Sequence, residues 1–190
     1  MKRVMADVPD HDAATLVALE TAVEALPPLT RLVFLLNRVD DLSYDAIARR
    51  LSIGIAAVES GLADALHRLC CTLDGDTAER AMSEALVEAN ALLSRRYRRY
   101  CEGRLRALGI ARPVPWDGDD DDAAVMRAML LSMPPAVLET FILNRVENLT
   151  YTQIAKRVGT FRWIVRGRML SGIRHVAHCP MSFARWLRGI

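Results

Sequence analysis

The chain carries one stretch of sequence twice, and this internal repeat constrains the fold more than any other feature. Residues 26–69 recur at residues 133–176 with a constant offset of 107 positions and no gap. The shared positions are mostly apolar and helically spaced. In the first copy they are Pro27, Pro28, Phe34, Leu36, Asn37, Arg38, Val39, Leu42, Tyr44, Ile47, Ala48, Arg50 and Val58. The two copies share their apolar core positions and differ on their surfaces, which predicts the same fold with a different function in each copy. The surface differences are therefore where we look for function.

The length allows two small domains. A repeat unit of about 60 residues is near the lower size limit for an independent core, so we expect two domains packed together. We place repeat one in residues 1–75, a central helix and linker in residues 76–116, and repeat two in residues 117–190. No apolar run approaches the roughly 18 residues that span a bilayer, and the basic start is not followed by the apolar stretch of a signal peptide. These features predict a cytoplasmic protein without a membrane partner.

The cysteines form no metal-binding pattern. Cys70, Cys71, Cys101 and Cys179 fit no CxxC spacing, and adjacent cysteines do not readily share one metal or one disulfide. Buried, reduced thiols are therefore expected. The alternative is a zinc site without the usual ligand spacing; its candidate ligands are His67, Cys71, His175, His178 and Cys179. We predict neither a metal nor a cofactor.

Charge is nearly balanced overall, at +2, but unevenly distributed. Residues 1–75 hold 7 Lys and Arg against 11 Asp and Glu, residues 76–122 hold 8 against 10, and residues 123–190 hold 10 against 2. Repeat two is therefore strongly basic and repeat one acidic. Such asymmetry points to a polyanionic partner for the basic half; the alternative is an Arg-rich face that is merely solvated.

Each repeat is predicted to form four helices. The first covers about residues 12–25 in repeat one and begins near Asp122 in repeat two, and acidic residues at both starts suit the helix dipole. Its apolar faces carry Leu16, Leu19 and Val23 in the first copy, and Val125, Met129 and Leu130 in the second. A second helix has Pro28 or Pro135 in its first turn, where proline is tolerated, and ends near residues 39 and 146.

The third and fourth helices of each repeat predict a helix-turn-helix. Ser43 and Thr150 are suited to cap a short third helix, and Ala48 and Ala155 let it approach the fourth. The residues expected to be buried are Ile47, Val58, Leu62 and Leu66, matched by Ile154, Val165, Met169 and Ile173. A tight turn separates the two helices in each copy, which is the arrangement of a helix-turn-helix.

The segment between the repeats is predicted to be one long helix. Asp76 serves as N-cap with Glu79 three residues later, and Gly109 closes the helix. Its apolar positions are Met82, Leu86, Ala89, Leu93, Tyr97, Tyr100 and Leu105. The fold class is therefore all-α: two helix-turn-helix four-helix domains joined by a long central helix.

The helix-turn-helix segments resemble region 4 of bacterial sigma factors of the extracytoplasmic-function group. In repeat one the similarity lies in residues 26–28, 33–36, 39–51 and 57–59, including a Leu-Ser-Tyr-x-x-Ile-Ala core at residues 42–48. Repeat two is similar through residues 133–135, 144–151 and 154–155. The resemblance implies a fourth helix that lies in the major groove of promoter DNA, and other surfaces that bind RNA polymerase or an anti-sigma factor. We find no counterpart of region 2, the part of a sigma factor that melts promoters, so a complete sigma factor is not expected.

The two recognition helices implied by this resemblance differ in charge. The groove-facing positions are Ile55, Ala56, Glu59 and Ser60 in repeat one, and Arg162, Trp163, Arg166 and Gly167 in repeat two. Phosphate neutralisation dominates affinity for DNA, and guanine is read best by a bidentate arginine. We therefore assign DNA binding to repeat two, through Thr150, Tyr151, Lys156, Arg157, Arg162, Trp163, Arg166, Arg168 and Arg174. Protein binding is assigned to Glu59, Ser60 and Asp64 of repeat one. Trp163 packs either against a sugar or a base methyl of DNA or against a protein; we favour the second, because tryptophan often anchors protein contacts.

Two other segments have alternative interpretations. In residues 95–100, tyrosines are interspersed among arginines. This segment could bind a nucleic-acid backbone, or its tyrosines could lie on the apolar stripe of a helix with the arginines on the solvated sides. We favour the second interpretation. The acidic run at residues 117–122 lacks the Gly at position 6 and the Glu at position 12 of an EF-hand loop, where Asp122 and Ala128 stand instead. It is expected to be a solvated linker, and the alternative is that it covers the arginines of repeat two.

The sequence as a whole predicts a transcription regulator that resembles sigma region 4. Repeat two would bind promoter-type double-stranded DNA, and repeat one would bind a protein such as RNA polymerase or an anti-sigma factor. The alternative is an adaptor that mimics region 4 and binds those proteins without DNA. No nucleophile-base pair, metal set or phosphate loop is visible, so an enzyme is not expected.

Overall fold

Ten helices and no strand make up the part of the chain that the computed structural model describes, residues 13–75, 81–111, 113–116 and 120–190. The helices are α1 (Ala13–Ala25), α2 (Pro28–Arg38), α3 (Tyr44–Leu51), α4 (Ile55–Asp74), α5 (Glu84–Ala107), α6 (Asp121–Leu131), α7 (Pro135–Arg145), α8 (Tyr151–Arg157), α9 (Arg162–Ala177) and α10 (Phe183–Arg188). They divide into unit one, residues 1–93 with 187–190, and unit two, residues 94–186. The predicted all-α class is confirmed.

Unit one is built around the apolar faces of α2, α3 and α4. Proline occupies the first turn of α2, as predicted, and the Ser43 hydroxyl caps α3 by accepting a hydrogen bond from the Ala46 amide at 3.3 Å. Ile47 and Val58 are fully buried. The other buried apolar residues of these helices are Leu29, Leu32, Val33, Leu36, Ala48, Leu51, Ala57, Leu62, Ala65 and Leu69. These positions recur at helical spacing, so each helix buries one stripe.

Unit two repeats the same local design with different residues. α7 begins with proline in its first turn, and Thr150 forms a reciprocal capping box with Gln153 at the start of α8. Val165 and Met169 are buried on the inner side of α9. A Cβ added to Gly172 would lie 2.9 Å from the Phe141 ring of α7, so alanine at this position would require that ring to shift.

Several local geometries recur 107 positions apart. The Asn37 amide donates to the Leu42 carbonyl at 3.0 Å, and the Asn144 amide donates to the Leu149 carbonyl at 2.9 Å. Positive φ angles follow the same offset: they occur at Asp41 and Asn148, and again at Ser52 and Gly159. The turn that ends the second helix and the turn inside the helix-turn-helix are therefore closed in the same way in both units.

The structure corrects two predictions of burial. Leu66 and Ile173, expected to be buried with the residues four and eight positions before them, are exposed in the structure. A residue eight positions along a helix is rotated by about 80° from the first residue, whereas a residue seven positions along is rotated by only about 20°. The buried stripe therefore runs through Ala65 and Gly172, seven positions after Val58 and Val165. On α1, Leu16 and Leu19 are also exposed. The helix packs through its second half, where Ala22 and Leu26 join Ala65 and Leu69 in one cluster and Val23 lies beside it.

The predicted central helix exists as α5, beginning at Glu84. Leu86, Ala89, Leu93, Tyr97 and Leu105 are buried as predicted, and Gly109 follows the helix with φ of 76°. Met82 precedes the helix and is exposed. Asp76, Glu79 and residues 117–119, to which sequence features were assigned, lie outside the described residues. No sequence pattern predicted α10, which brings Phe183 and Trp186 against Tyr97 at ring separations of 5.3 and 5.6 Å.

Candidate nucleic-acid interface

The helix-turn-helix of unit two presents one face of α9 to solvent. The turn between α8 and α9 contains Gly159 with φ of 63°, and the Thr160 amide donates to the Ala155 carbonyl at 2.9 Å. Val165 and Met169 fix the inner face of α9 in the core. Arg162, Trp163 and Arg166, predicted as groove-facing residues, are exposed. Packing of the inner face therefore sets which side chains of this helix are available to a partner.

No carboxylate in the described part of unit two neutralises the positive charge on this face. Arg162 and Arg166 have no carboxylate within ion-pair distance among the described residues. The sequence contains no Asp or Glu between position 148 and its last residue, 190, although eight Lys and Arg lie in that stretch. Unpaired guanidinium groups on an exposed face attract anions and form bidentate contacts with phosphates or with guanine.

An open concavity of about 720 Å³ lies where α8 and α9 begin, lined by Tyr151, Phe161, Arg162, Trp163 and Arg166. Phe161 and Trp163 are 69% and 73% exposed, and their rings stack with centroids 6.5 Å apart and planes 12° apart. Phe161 is a candidate site residue that the sequence analysis missed. Its position immediately before a recognition helix, next to two arginines, was the available signal.

The other residues predicted to bind DNA do not line this concavity. Thr150 caps α8, and its hydroxyl accepts a hydrogen bond from the Gln153 amide. Lys156 and Arg174 are exposed, and Arg168 is half-buried. Arg157 forms an ion pair with Glu147, so part of its charge is compensated inside the unit. Within the predicted set, the structure therefore brings together Tyr151, Arg162, Trp163 and Arg166, with Lys156, Arg168 and Arg174 outside the concavity.

The equivalent face of unit one is uncharged or acidic. Ile55, Ala56 and Glu59 are exposed on α4, and Ser60 is half-buried. Asp64, expected from the sequence to lie on the surface, is buried instead: its carboxylate accepts hydrogen bonds from Thr30 at 3.3 Å and from Arg68 at 2.9 Å. Its second oxygen, Oδ1, has no partner. Asp64 therefore contributes to the interior of unit one and is not available to a partner protein.

The Arg-Tyr segment of α5 belongs to the core and its margin, as favoured by the sequence. Tyr97 is buried, and its hydroxyl donates to the Asp122 carboxylate at 2.5 Å. Arg98 pairs with Asp121 at 2.8 Å and lies over the Trp116 ring. The described part of the acidic run thus contacts α5 rather than the arginines of α9.

Burial also controls the acidity of groups around Tyr97. Burial, together with the hydrogen bond to Asp122, raises the pKa of the Tyr97 hydroxyl above its usual range. Burial raises the pKa of the Cys101 thiol to about 12, and that of Cys179 also rises. Thiols held in the protonated form are poor nucleophiles and poor metal ligands.

The described residues include no group of three or more His, Cys, Asp and Glu side chains close enough to hold a metal ion. The residues of the alternative zinc site are not brought together: Cys71 lies beside His67, whereas His178 contacts the Arg174 carbonyl. Among the helices of the described part, none combines the length and the apolar character needed to cross a bilayer.

Residues 16–69 match the family model for sigma-70, region 4. The matched segment runs from α1 through most of α4, and so covers the helix-turn-helix of unit one. No curated protein and no solved structure is detectably similar to the chain. The resemblance of repeat one to sigma region 4 is confirmed, and the match indicates a DNA-binding, transcription-related role.

Proposed function

We propose that this chain is a transcription regulator with two sigma region 4-like modules, of which unit two binds promoter-type double-stranded DNA and unit one binds a protein. RNA polymerase and an anti-sigma factor are the candidate protein partners, because region 4 modules contact both. Such a regulator acts in the bacterial cytoplasm, where promoters are.

The proposal that the module occurs twice is supported by both sequence and geometry. Residues 26–69 and 133–176 align without a gap. The starts of α2, α3 and α4 each lie 107 positions before the starts of α7, α8 and α9. The amide hydrogen bonds of Asn37 and Asn144 close the same turn.

The contrast between α4 and α9 is the main support for assigning DNA binding to unit two and protein binding to unit one. At aligned positions, α4 presents Ile55, Ala56 and Glu59, whereas α9 presents Arg162, Trp163 and Arg166. All six side chains are exposed. A carboxylate in a groove lined by phosphates is repelled, whereas unpaired guanidinium groups release counterions and bind. DNA binding is therefore assigned to α9.

Protein binding is assigned to unit one because its exposed face combines apolar and acidic groups. Ile55 is 45% exposed beside Glu59 on the outer side of α4. Apolar side chains next to a charged rim are typical of protein interfaces. The half-buried Ser60 completes the proposed contact, and Asp64 is excluded because it lies inside the unit.

The second candidate function is an adaptor that binds RNA polymerase or an anti-sigma factor without DNA. It is favoured by one observation: the matched family segment lies in unit one, whose equivalent of the recognition helix lacks arginine on its outer face. On this alternative, the arginines of α9 bind an acidic protein surface.

Fluorescence anisotropy with labelled duplex DNA separates the two functions. The purified chain is titrated into the duplex at low and at moderate salt. A DNA-binding regulator binds at low salt, and the logarithm of its binding constant falls linearly with the logarithm of the salt concentration. Absence of duplex binding at low salt contradicts the proposed regulator and favours the adaptor.

A further inference from the structure

An exposed aromatic pair, Phe161 and Trp163, stands at the start of α9. Large aromatic side chains with roughly 70% of their surface in water lose the stabilisation that burial would give them. Unit one shows that the fold does not require them, because its aligned residues are Gly54 and Ala56 and α4 begins in the same way. The aromatic pair therefore points to a ligand of unit two.

The surroundings of the aromatic pair identify an anionic ligand with an apolar group. Arg162 and Arg166 line the same concavity, and no acidic residue occurs from position 148 to position 190. A protein partner at this face would have to be acidic and apolar at once. Duplex DNA fits both conditions, because its grooves are negatively charged and its major groove displays one apolar group, the 5-methyl of thymine.

We propose that the aromatic pair reads the 5-methyl group of a thymine in the major groove, beside a guanine bound by Arg162 or Arg166. This inference rests on the proposed function of unit two. Residues in the first turn of a recognition helix contact base edges. The phenyl ring has no hydrogen-bonding group and the indole ring has only one, its N–H donor, so nearly all of the surface of the pair can make only apolar contacts with a base edge. Arginine pairs with guanine O6 and N7, which makes neighbouring thymine and guanine the class of site recognised.

A pair of duplexes that differ only in this methyl group tests the inference. The probe is a duplex of repeated d(TG)·d(CA) steps, which contains thymine beside guanine in every register. Its partner probe has uracil in place of thymine, so that base pairing and hydrogen-bonding edges stay the same. We expect wild type to bind the thymine duplex about fourfold more tightly, the effect of burying one methyl group.

The matched variant replaces the aromatic pair with the residues of unit one, Phe161→Gly with Trp163→Ala. Both positions are exposed, and unit one folds with these residues, so the variant is expected to keep its circular dichroism spectrum. It should still bind duplex DNA, because both arginines remain, but it should bind the thymine and uracil duplexes with equal affinity. If the preference came from a change in DNA shape, the variant would keep it.

Three results overturn the inference. The first is equal affinity of wild type for the thymine and uracil duplexes, and the second is a variant that retains the preference. The third is tighter binding of single-stranded d(TG) than of the duplex, because the rings would then stack on unpaired bases. If wild type binds no duplex at all, the proposed function itself fails, which distinguishes that failure from the other three.

Discussion

The hydroxyl of Thr30 on α2 donates a hydrogen bond to the buried carboxylate of Asp64 on α4, at 3.3 Å. Both residues are at most 5% exposed. The aligned residues of repeat two are Val137 and Ser171, so the donor and the carboxylate are replaced together. Ser171, the residue aligned with Asp64, lies on the solvent side of α9. In unit one the same position is buried, and its hydrogen bond links α2 to α4.

We predict that Thr30→Val and Asp64→Ser each destabilise the protein but compensate one another. Thr30→Val keeps nearly the same side-chain shape but removes the hydroxyl that donates to the buried carboxylate. It should lower the free energy of unfolding by about 1–2 kcal/mol. The double variant has the residues of unit two and should cost less than the sum of the single changes. Urea unfolding followed by circular dichroism measures all three values. Strict additivity would show that the hydrogen bond contributes nothing.

We predict that Leu36→Ala and Leu143→Ala each reduce the free energy of unfolding by about 2–5 kcal/mol, the usual cost of a cavity in a core. Both leucines are buried at equivalent positions of α2 and α7. Val39→Ala, at an exposed site one turn from Leu36, is the control and should change little. A small loss from either leucine variant would mean that the site collapses around the cavity.

The starts of the helices and most of the core were predictable from the sequence, because their causes are local. Pro28, Ser43 and Thr150 start helices through their own geometry, and Ile47 and Ile154 follow from helical periodicity. The predicted burial of Leu66 and Ile173 was wrong because each step of four residues rotates the side chain further around the helix, away from the buried face.

The remaining features depend on contacts between helices that no local pattern encodes. The burial of Asp64 requires Thr30 from another helix. Phe161 lines the candidate site together with Tyr151 of α8, so its place there depends on how α8 and α9 meet. Likewise, α10 is only six residues long, too short for a periodic signal, and it packs through Phe183 and Trp186 on Tyr97.

Alkaline pH is predicted to destabilise the protein through Cys101. The folded state raises the pKa of this buried thiol from about 9 to about 12. The protonated Cys101 thiol therefore makes its full contribution to stability below about pH 9. That contribution is lost as pH rises toward 12, and the free energy of unfolding falls by at most about 1.4 kcal/mol per pH unit. Urea unfolding at several pH values should show a steeper alkaline decline for wild type than for Cys101→Ala. Equal slopes would contradict the assignment.

We predict that this chain, added to core RNA polymerase without a sigma factor, yields no promoter-specific transcript. Promoter opening needs aromatic groups that hold unstacked bases. Tyr97, Phe183 and Trp186 pack on one another, and the exposed rings of Phe161 and Trp163 are assigned above to duplex DNA. The assay is in vitro transcription from a promoter template, with a complete sigma factor as the positive control. A specific transcript from core enzyme and this chain alone would reveal a melting function.

The central claim is that unit two, and not unit one, contacts DNA. Duplex binding should be compared between Arg162→Ala with Arg166→Ala and the matched control Arg49→Ala with Arg50→Ala, which removes the same charge from exposed sites of unit one. We predict that the first variant loses most binding and that its salt dependence weakens by about one unit of slope for each phosphate that it no longer neutralises. The control should bind as wild type does. Equal losses in the two variants would contradict the claim, because both units would then share the DNA.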